Sequence, residues 1–327
     1  RRRAARPVLQ TRALAYAAAA TVPAAEHAAP LPKICSTVEE FREARRALAG
    51  KRVGFVPTMG ALHAGHLSLF RAARAENEAV VASIFVNPAQ FAPHEDFDKY
   101  PRQLEKDVAL LHKEGLADLV FAPTSAVMYG PHHCVYVDPH GVEALSEGAA
   151  RPGFFRGVAT VVAKLFNVVQ PDAAYFGQKD ALQCVVIRRM VADLNFPLKV
   201  RVLPTARDAD GLALSSRNAY LTPDERAAAP VVHRALLAAR AAWQRGVAAA
   251  AAAGSAAAAA RADLEAVARA ELAAEPLVAA VEYVSVGCRE TMAELESVTA
   301  AGAVVSVAVK VGGVRLIDNM VLGPPDE

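Results

Sequence analysis

From residue 53 to residue 203 the chain alternates short, continuous apolar runs with longer stretches in which apolar residues recur every three or four positions. The runs at 53–56 and 79–86 have the length and uniform apolarity of parallel strands covered on both faces. Further strands are expected at 118–121, 172–176 and 198–203. Helical periodicity predicts helices over 37–48, ending at Gly50, and over about 66–77, 101–114, 156–169 and 180–194. Alternation of this kind specifies an α/β fold, a Rossmann-like doubly wound parallel sheet with right-handed crossovers. Ligands in such sheets bind outside the carboxyl ends of the strands, here the loops at 57–65, 87–95, 177–180 and 205–217.

Beyond residue 206 the pattern changes. A helix at 223–245, an Ala-rich helical stretch through 273 and short strands near 281–286 and 303–311 predict a second, smaller α+β domain. The expected division is an N-terminal extension at 1–32, the parallel-sheet domain at 33–205 and a lid-like domain at 206–327. The Ala-rich run 248–260 is low-complexity and is assigned no role. Residues 1–25 carry Arg1, Arg2, Arg3, Arg6 and Arg12 with no acid before Glu26. That composition suits either an organellar transit peptide or an extension without function, and the missing initiator Met suggests a fragment.

Composition narrows the partners. With 36 Lys and Arg against 34 Asp and Glu, the net charge of +2 supplies no broad field for nucleic acid, so an anion site must be local. No segment reaches the ~18 strongly apolar residues of a membrane span. Cys35, Cys134, Cys184 and Cys288 lie far apart without a C-x-x-C pair, which argues against a zinc site and a disulfide framework and suits a reducing, cytoplasmic compartment, or an organelle if the N-terminus is a transit peptide.

Three strand-end strings carry candidate chemistry. His63-Ala64-Gly65-His66 lies between the first strand and helix, where backbone N–H groups and the helix dipole favour a phosphate and two imidazoles can donate to its oxygens. It reads equally as a structural turn, and no third metal ligand is adjacent. Gly177-Gln178-Lys179-Asp180 follows the run Ala173-Ala174-Tyr175-Phe176, so Lys179 can neutralise triphosphate oxygens or stand in solvent at a helix start. In Arg207 to Asn218 the hydroxyls of Ser215 and Ser216 and the guanidinium of Arg217 can close over a leaving pyrophosphate, or merely cap the next helix.

A strand followed by H-x-G-H, with an S-S-R loop downstream, resembles the nucleotidylyltransferase superfamily. At the level of whole strings the likeness is closer. Val56 to His66, Ser83 to Phe91, Arg151 to Val158, Phe176 to Gln183 and Gly211 to Asn218 are similar, in order, to the pantothenate synthetase family, over roughly residues 33–322. The resemblance implies that ATP is met by Met59, Gly60, Ala61, Leu62, His63, Ala64, Gly65, His66, Gly177, Gln178, Lys179, Asp180, Ala206, Leu214, Ser215, Ser216 and Arg217. Catalysis would fall to His63, His66, Lys179, Ser215, Ser216 and Arg217. Gln90, Gln183, Pro57 and Met59 would hold pantoate, and Gln90 also β-alanine, while Asn87 lies beside them. Mg²⁺ would be held mainly by phosphates, and a homodimer is implied. Gln178 stands where many relatives carry an acid, and Ala181 where an aromatic is common.

The activity so implied is attack of pantoate on the α-phosphate of ATP, followed by aminolysis of the adenylate by β-alanine. Two alternatives remain at this point: another small-molecule adenylyl- or cytidylyltransferase, and a catalytically silent nucleotide-binding scaffold. The second would be marked by loss of His63, His66, Lys179 or the Ser215-Ser216-Arg217 set, and all are present.

Overall fold

The computed structural model describes residues 30–92, 95, 97–254 and 259–324, so the Arg-rich N-terminus and part of the Ala-rich run lie outside the described residues. The first unit contains strands β1 (Lys33–Cys35), β2 (Val53–Thr58), β3 (Ala79–Ile84), β4 (Leu119–Phe121), β5 (Ala173–Gly177) and β6 (Lys199–Leu203). Its helices are α1 (Val38–Arg46), α2 (Ala64–Glu76), α3 (Leu104–Lys113), α4 (Ser125–Met128), α5 (Ser146–Ala150), α6 (Phe154–Val169) and α7 (Ala181–Asp193). The strands form one parallel sheet in the order β1-β4-β3-β2-β5-β6. The chain winds outward from β2 through β3 to β4, then returns to β5 on the other side of β2. That reversal makes the carboxyl ends of β2 and β5 the switch point at which a ligand crevice opens.

Uniformly apolar strands arise because both faces are covered. Val53, Phe55, Val81, Phe121, Ala174 and Phe176 enter one core with α1, α6 and α7, while Val56, Val80, Ala82, Val120 and Tyr175 enter the other with α2 and α3. Successive residues thus alternate between two cores rather than between core and water. At α1 a Thr37–Glu40 capping box satisfies orphan donors at the helix start. Boundaries elsewhere differ by up to three residues from the expected ones: the helix expected at 101–114 spans Leu104–Lys113. The edge strand β1 escaped notice because three residues show no period.

The second unit packs α8 (Pro223–Ala228), α9 (Val231–Ala253) and α10 (Arg261–Ala273) against β8 (Val278–Gly287), β10 (Val304–Val311) and β11 (Val314–Val321). These strands form an antiparallel sheet in the order β11-β10-β8, and β7 (Ala259–Ala260) pairs with β9 (Ser297–Val298). The helix expected at 223–245 is two helices, because Pro230 has no N–H for the ladder. Its second part outruns the expectation on a run of alanines and stops at Gly254 in the left-handed conformation. Strand β11 was missed, although Gly312-Gly313 between two apolar runs is a hairpin sign. Among the described residues no helix is long and apolar enough to cross a membrane.

Candidate active site

The site starts at the end of β2. Thr58 Oγ1 donates to Ser83 O at 2.8 Å and accepts from Gly60 N at 3.1 Å, turning the chain out of the sheet. The buried Asp107 of α3 then accepts from Ala61 N and Leu62 N, both at 2.9 Å. Ala61 has a φ of 52°, an unfavourable conformation that those two bonds help hold. Gly60, Ala61, Leu62 and Ala64 stand behind the residues that line the cleft, and the amides of Ala61 and Leu62 are bonded to Asp107. Sequence reasoning missed Asp107, which looks like an ordinary first-turn acid.

His63 is the N-cap of α2 and His66 lies in its first turn. His63 Nδ1 accepts from Gly65 N at 3.1 Å, and His66 Nδ1 accepts from His63 N at 3.4 Å. Each Nδ1 being an acceptor, each neutral ring carries its proton on Nε2. The rings lie 4.1 Å apart, centroid to centroid, at 42°. A Cβ on Gly65 would stand 2.9 Å from the His63 ring, so only glycine permits this approach. Burial, with Lys179 nearby, lowers His63 to about 4; burial, with His63 and Lys179 nearby, lowers His66 to about 3. At neutral pH the pair therefore offers N–H donors without net charge. Two of the backbone donors expected to greet a phosphate are used by the histidines themselves.

Charge comes from the neighbouring loops. Lys179, just after β5, is one-fifth exposed and its Nζ lies 3.9 Å from Asp180 Oδ1. Cys184 Sγ donates to Gly177 O at 3.3 Å, and burial lifts its thiol to about 12, which leaves it an inert packing group. Gln178 turns away from the cleft and donates to Asn319 Oδ1 at 3.1 Å. Across the opening, Leu214 N bonds to Ala206 O at 2.9 Å, and Ser215 Oγ accepts from Arg217 N at 3.3 Å. Ser216 Oγ lies 3.4 Å from Tyr100 Oη.

A second wall is built on the turn after β3. Asn87, buried, donates to Gln90 Oε1 at 2.9 Å and to Gly157 O at 3.3 Å, and accepts from Tyr129 Oη at 2.7 Å. It is a support whose bonds stay within the protein, and it leaves the Gln90 Nε2 group to the cleft. Gly157 of α6 passes so close that a Cβ there would stand 2.0 Å from Ala89 O. Arg151 grips Glu95 through two bonds of 2.9 and 2.7 Å, reaches Gln90 O at 3.0 Å and stacks on Phe154. Burial alone would raise Glu95, but Arg151 overrides it and the carboxyl lies below its ordinary value.

These walls enclose a cleft of about 1060 Å³ at the switch point. Pro57, Met59, His63, Gly65, His66, Gln90, Gly177, Lys179, Asp180, Gln183, Ala206, Leu214, Ser215, Ser216 and Arg217 all line it. Lys310 and Arg315 of the smaller unit line its far side. Thr205 Oγ1 and Asn218 Oδ1 are buried on its surface without partners among the described residues, which marks them as groups that a ligand or water would satisfy. Among the described residues no three His, Cys, Asp or Glu side chains cluster closely enough to hold a metal ion.

A family model described as pantoate-beta-alanine ligase matches residues 33–321. A pantothenate synthetase of Herpetosiphon aurantiacus is 52% identical over 293 residues, covering 89% of this chain and 100% of that protein. The crystal structure of a pantothenate synthetase from Thermus thermophilus has 48% identity and a TM-score of 0.79, covering 89% of this chain and 100% of that one. A pantoate-beta-alanine ligase from Francisella tularensis, complexed with beta-gamma ATP and beta-alanine, has 31% identity and a TM-score of 0.71, covering 89% and 97% of the two chains. Likeness of this extent, on a cleft built as described, makes the chain an enzyme of the pantoate-beta-alanine ligase family.

Proposed function

We propose that the cleft condenses pantoate with β-alanine at the expense of ATP, giving pantothenate, AMP and pyrophosphate. The observation that carries the reading is the convergence of two neutral imidazoles, the cations Lys179 and Arg217 and the amides of Gln90 and Gln183 on one cleft. Donors and cations suit a triphosphate; two amides beside Pro57 and Met59 suit a small branched hydroxy acid.

A pantoate carboxylate oxygen attacks the α-phosphorus and the bond to the bridging oxygen of the β-phosphate breaks, so pyrophosphate departs with that electron pair. The Nε2–H groups of His63 and His66 donate to phosphate oxygens as charge builds, and Lys179, Ser215, Ser216 and Arg217 hold the leaving group. The β-alanine amine then attacks the acyl carbon, the acyl–phosphate oxygen bond breaks, AMP leaves and the amine loses its proton. Gln90 lies at the end where that amine would enter. Magnesium would come with the nucleotide and neutralise its phosphates, since Asp180 is the lone carboxylate of the Lys179 loop.

The unit 206–327 serves as a lid over 33–205, excluding water while the mixed anhydride exists. The assembly is a homodimer, to be measured by sedimentation. The test of the reaction is pyrophosphate and AMP release by residues 31–327 with ATP, Mg²⁺ and pantoate, with and without β-alanine, beside His66→Ala. Pantoate-dependent pyrophosphate release, with AMP and pantothenate appearing only after β-alanine is added, is expected; a folded protein without pantoate-dependent turnover would move the reading to another nucleotidyl-transfer substrate.

A further inference from the structure

We infer that Asn319, on β11 of the smaller unit, is a positioning residue for the loop that presents Lys179, and that with its neighbour Asp318 it ties that loop to the segment leading into Ser215–Arg217. The inference rests on the reaction proposed above and adds a residue to it that touches no substrate.

Asn319 is 3% exposed and lies far along the chain from the loop it serves. Its Nδ2 donates to two successive carbonyls, Gln178 O and Lys179 O, each at 2.8 Å. Its Oδ1 accepts from Gln178 Nε2 at 3.1 Å. One side-chain amide thus uses both donors and an acceptor on two consecutive loop residues, fixing the peptide that carries Lys179. This also accounts for Gln178: its side chain serves the seam between the units, with its carboxamide donor matched to the asparagine oxygen.

Asp318 faces the other way, as the strand period requires. It is 3% exposed and takes Arg207 through bonds of 2.5 and 3.0 Å, and Arg207 also donates to Gly211 O at 3.0 Å. Asn319 N donates to Asp318 Oδ1 at 2.8 Å, so the pair is braced internally. Both loops whose cationic groups would meet the triphosphate therefore hang on one dipeptide of the second unit. The pantoate wall at Asn87, Gln90 and Gly157 is built from bonds within the first unit and has no share in it.

The test has two parts. In wild-type protein without substrates, the side-chain NH2 of Asn319, which donates to Gln178 O and Lys179 O, is expected to exchange as slowly as the backbone amides of β11; fast exchange of that NH2 while β11 stays protected overturns the coupling. In Asn319→Ala, and in the nearly isosteric Asn319→Asp, which sets a carboxylate against two carbonyl oxygens, kcat/KM for ATP in pantoate-dependent pyrophosphate release is expected to fall about tenfold or more. The KM for pantoate is expected to stay within about twofold of wild type, a split that a general loss of packing would not produce. ATP kinetics within about threefold of wild type in either folded variant, or an equal loss on pantoate, overturns the proposal. Wild-type protein without pantoate-dependent turnover would defeat the reaction alone, leaving the exchange result to decide the coupling.

Discussion

Lowering the pH of the ligand-free protein is expected to expose the cost of burying His66. The imidazole starts from 6.5 and is held at about 3, first by burial and then by His63 and Lys179. Below pH 6.5 the unfolded chain takes up a proton that the folded chain refuses, so the unfolded state binds more protons and stability falls with the pH. The loss begins near 6.5 and is complete near 3, and above 6.5 this group contributes no pH dependence. At pH 4.5 the unfolded imidazole is about two pH units below its own value, which is worth about 2.7 kcal/mol, while the folded one is still neutral. His63, held at about 4 but partly open to solvent, adds roughly 1 kcal/mol after screening. Together these remove about 3–4 kcal/mol from a total of ordinary size, about 5–15 kcal/mol. Urea unfolding of wild type and His66→Gln at pH 7.5 and 4.5 measures the His66 share. Wild type is expected to lose about 2.7 kcal/mol more than the variant between the two pH values; equal losses would refute the argument that burial keeps this ring neutral.

The same neutrality predicts that kcat/KM shows no inflection near the ordinary histidine value, because kcat/KM reports the free enzyme; a clear inflection there in the wild-type profile that His66→Gln removes would contradict it. Lys179→Ala should lower kcat about 10²–10³-fold with little change in the pantoate KM, measured by pyrophosphate release. Gly157→Ala must push α6 from the Pro88–Gln90 turn, costing about 1–3 kcal/mol in urea unfolding and raising the pantoate KM above that of wild type. Glu147 accepts both Arg315 bonds, at 2.9 and 2.8 Å, and the Tyr283 hydroxyl at 2.8 Å across the seam between the units. Glu147→Ala removes two of the bonds of that guanidinium and leaves it Glu282, at 2.8 Å, so it should cost about 1–3 kcal/mol in the same assay; a loss near zero would show the seam to be open in solution.

Local pattern carried the sheet because each of its main strands lies between two cores, so apolarity is continuous and its period needs no partner to be seen. Val53 and Phe55 go one way, Gly54 and Val56 the other, and all are covered. It failed where stability is supplied from a distance. Strand β1 exists because β4 offers it an edge, and β11 because a hairpin folds it onto β10. At the site, His63, His66 and Lys179 could be read because they sit at strand ends in short strings. Asp107, Asn319 and Glu147 could not. Their meaning lies in partners many residues away, and the residues beside them in sequence give no sign of it.

In the proposed reaction, different parts of the fold would hold the two substrates. Charges proposed for the triphosphate stand on loops fastened to β11, whereas the imidazoles hang on α2 and Asp107, and of the amides proposed for pantoate Gln90 stands on the turn after β3 and Gln183 on α7. The first set depends on docking of the smaller unit; the second and third are complete within the parallel-sheet unit. A change that loosens the second core, such as truncation of Leu236 or Leu264, both fully buried there, would therefore weaken the grip on ATP before it touched pantoate. Lys179 and Arg217 both line the cleft with a carboxylate in their field, Asp180 at 3.9 Å from Lys179 and Glu95 for Arg217, so a polyanion would compete with those acids for the two cations. In the proposed reaction the nucleotide would complete its own phosphate site, whereas Gln90 is already fixed by Asn87 before any acid arrives.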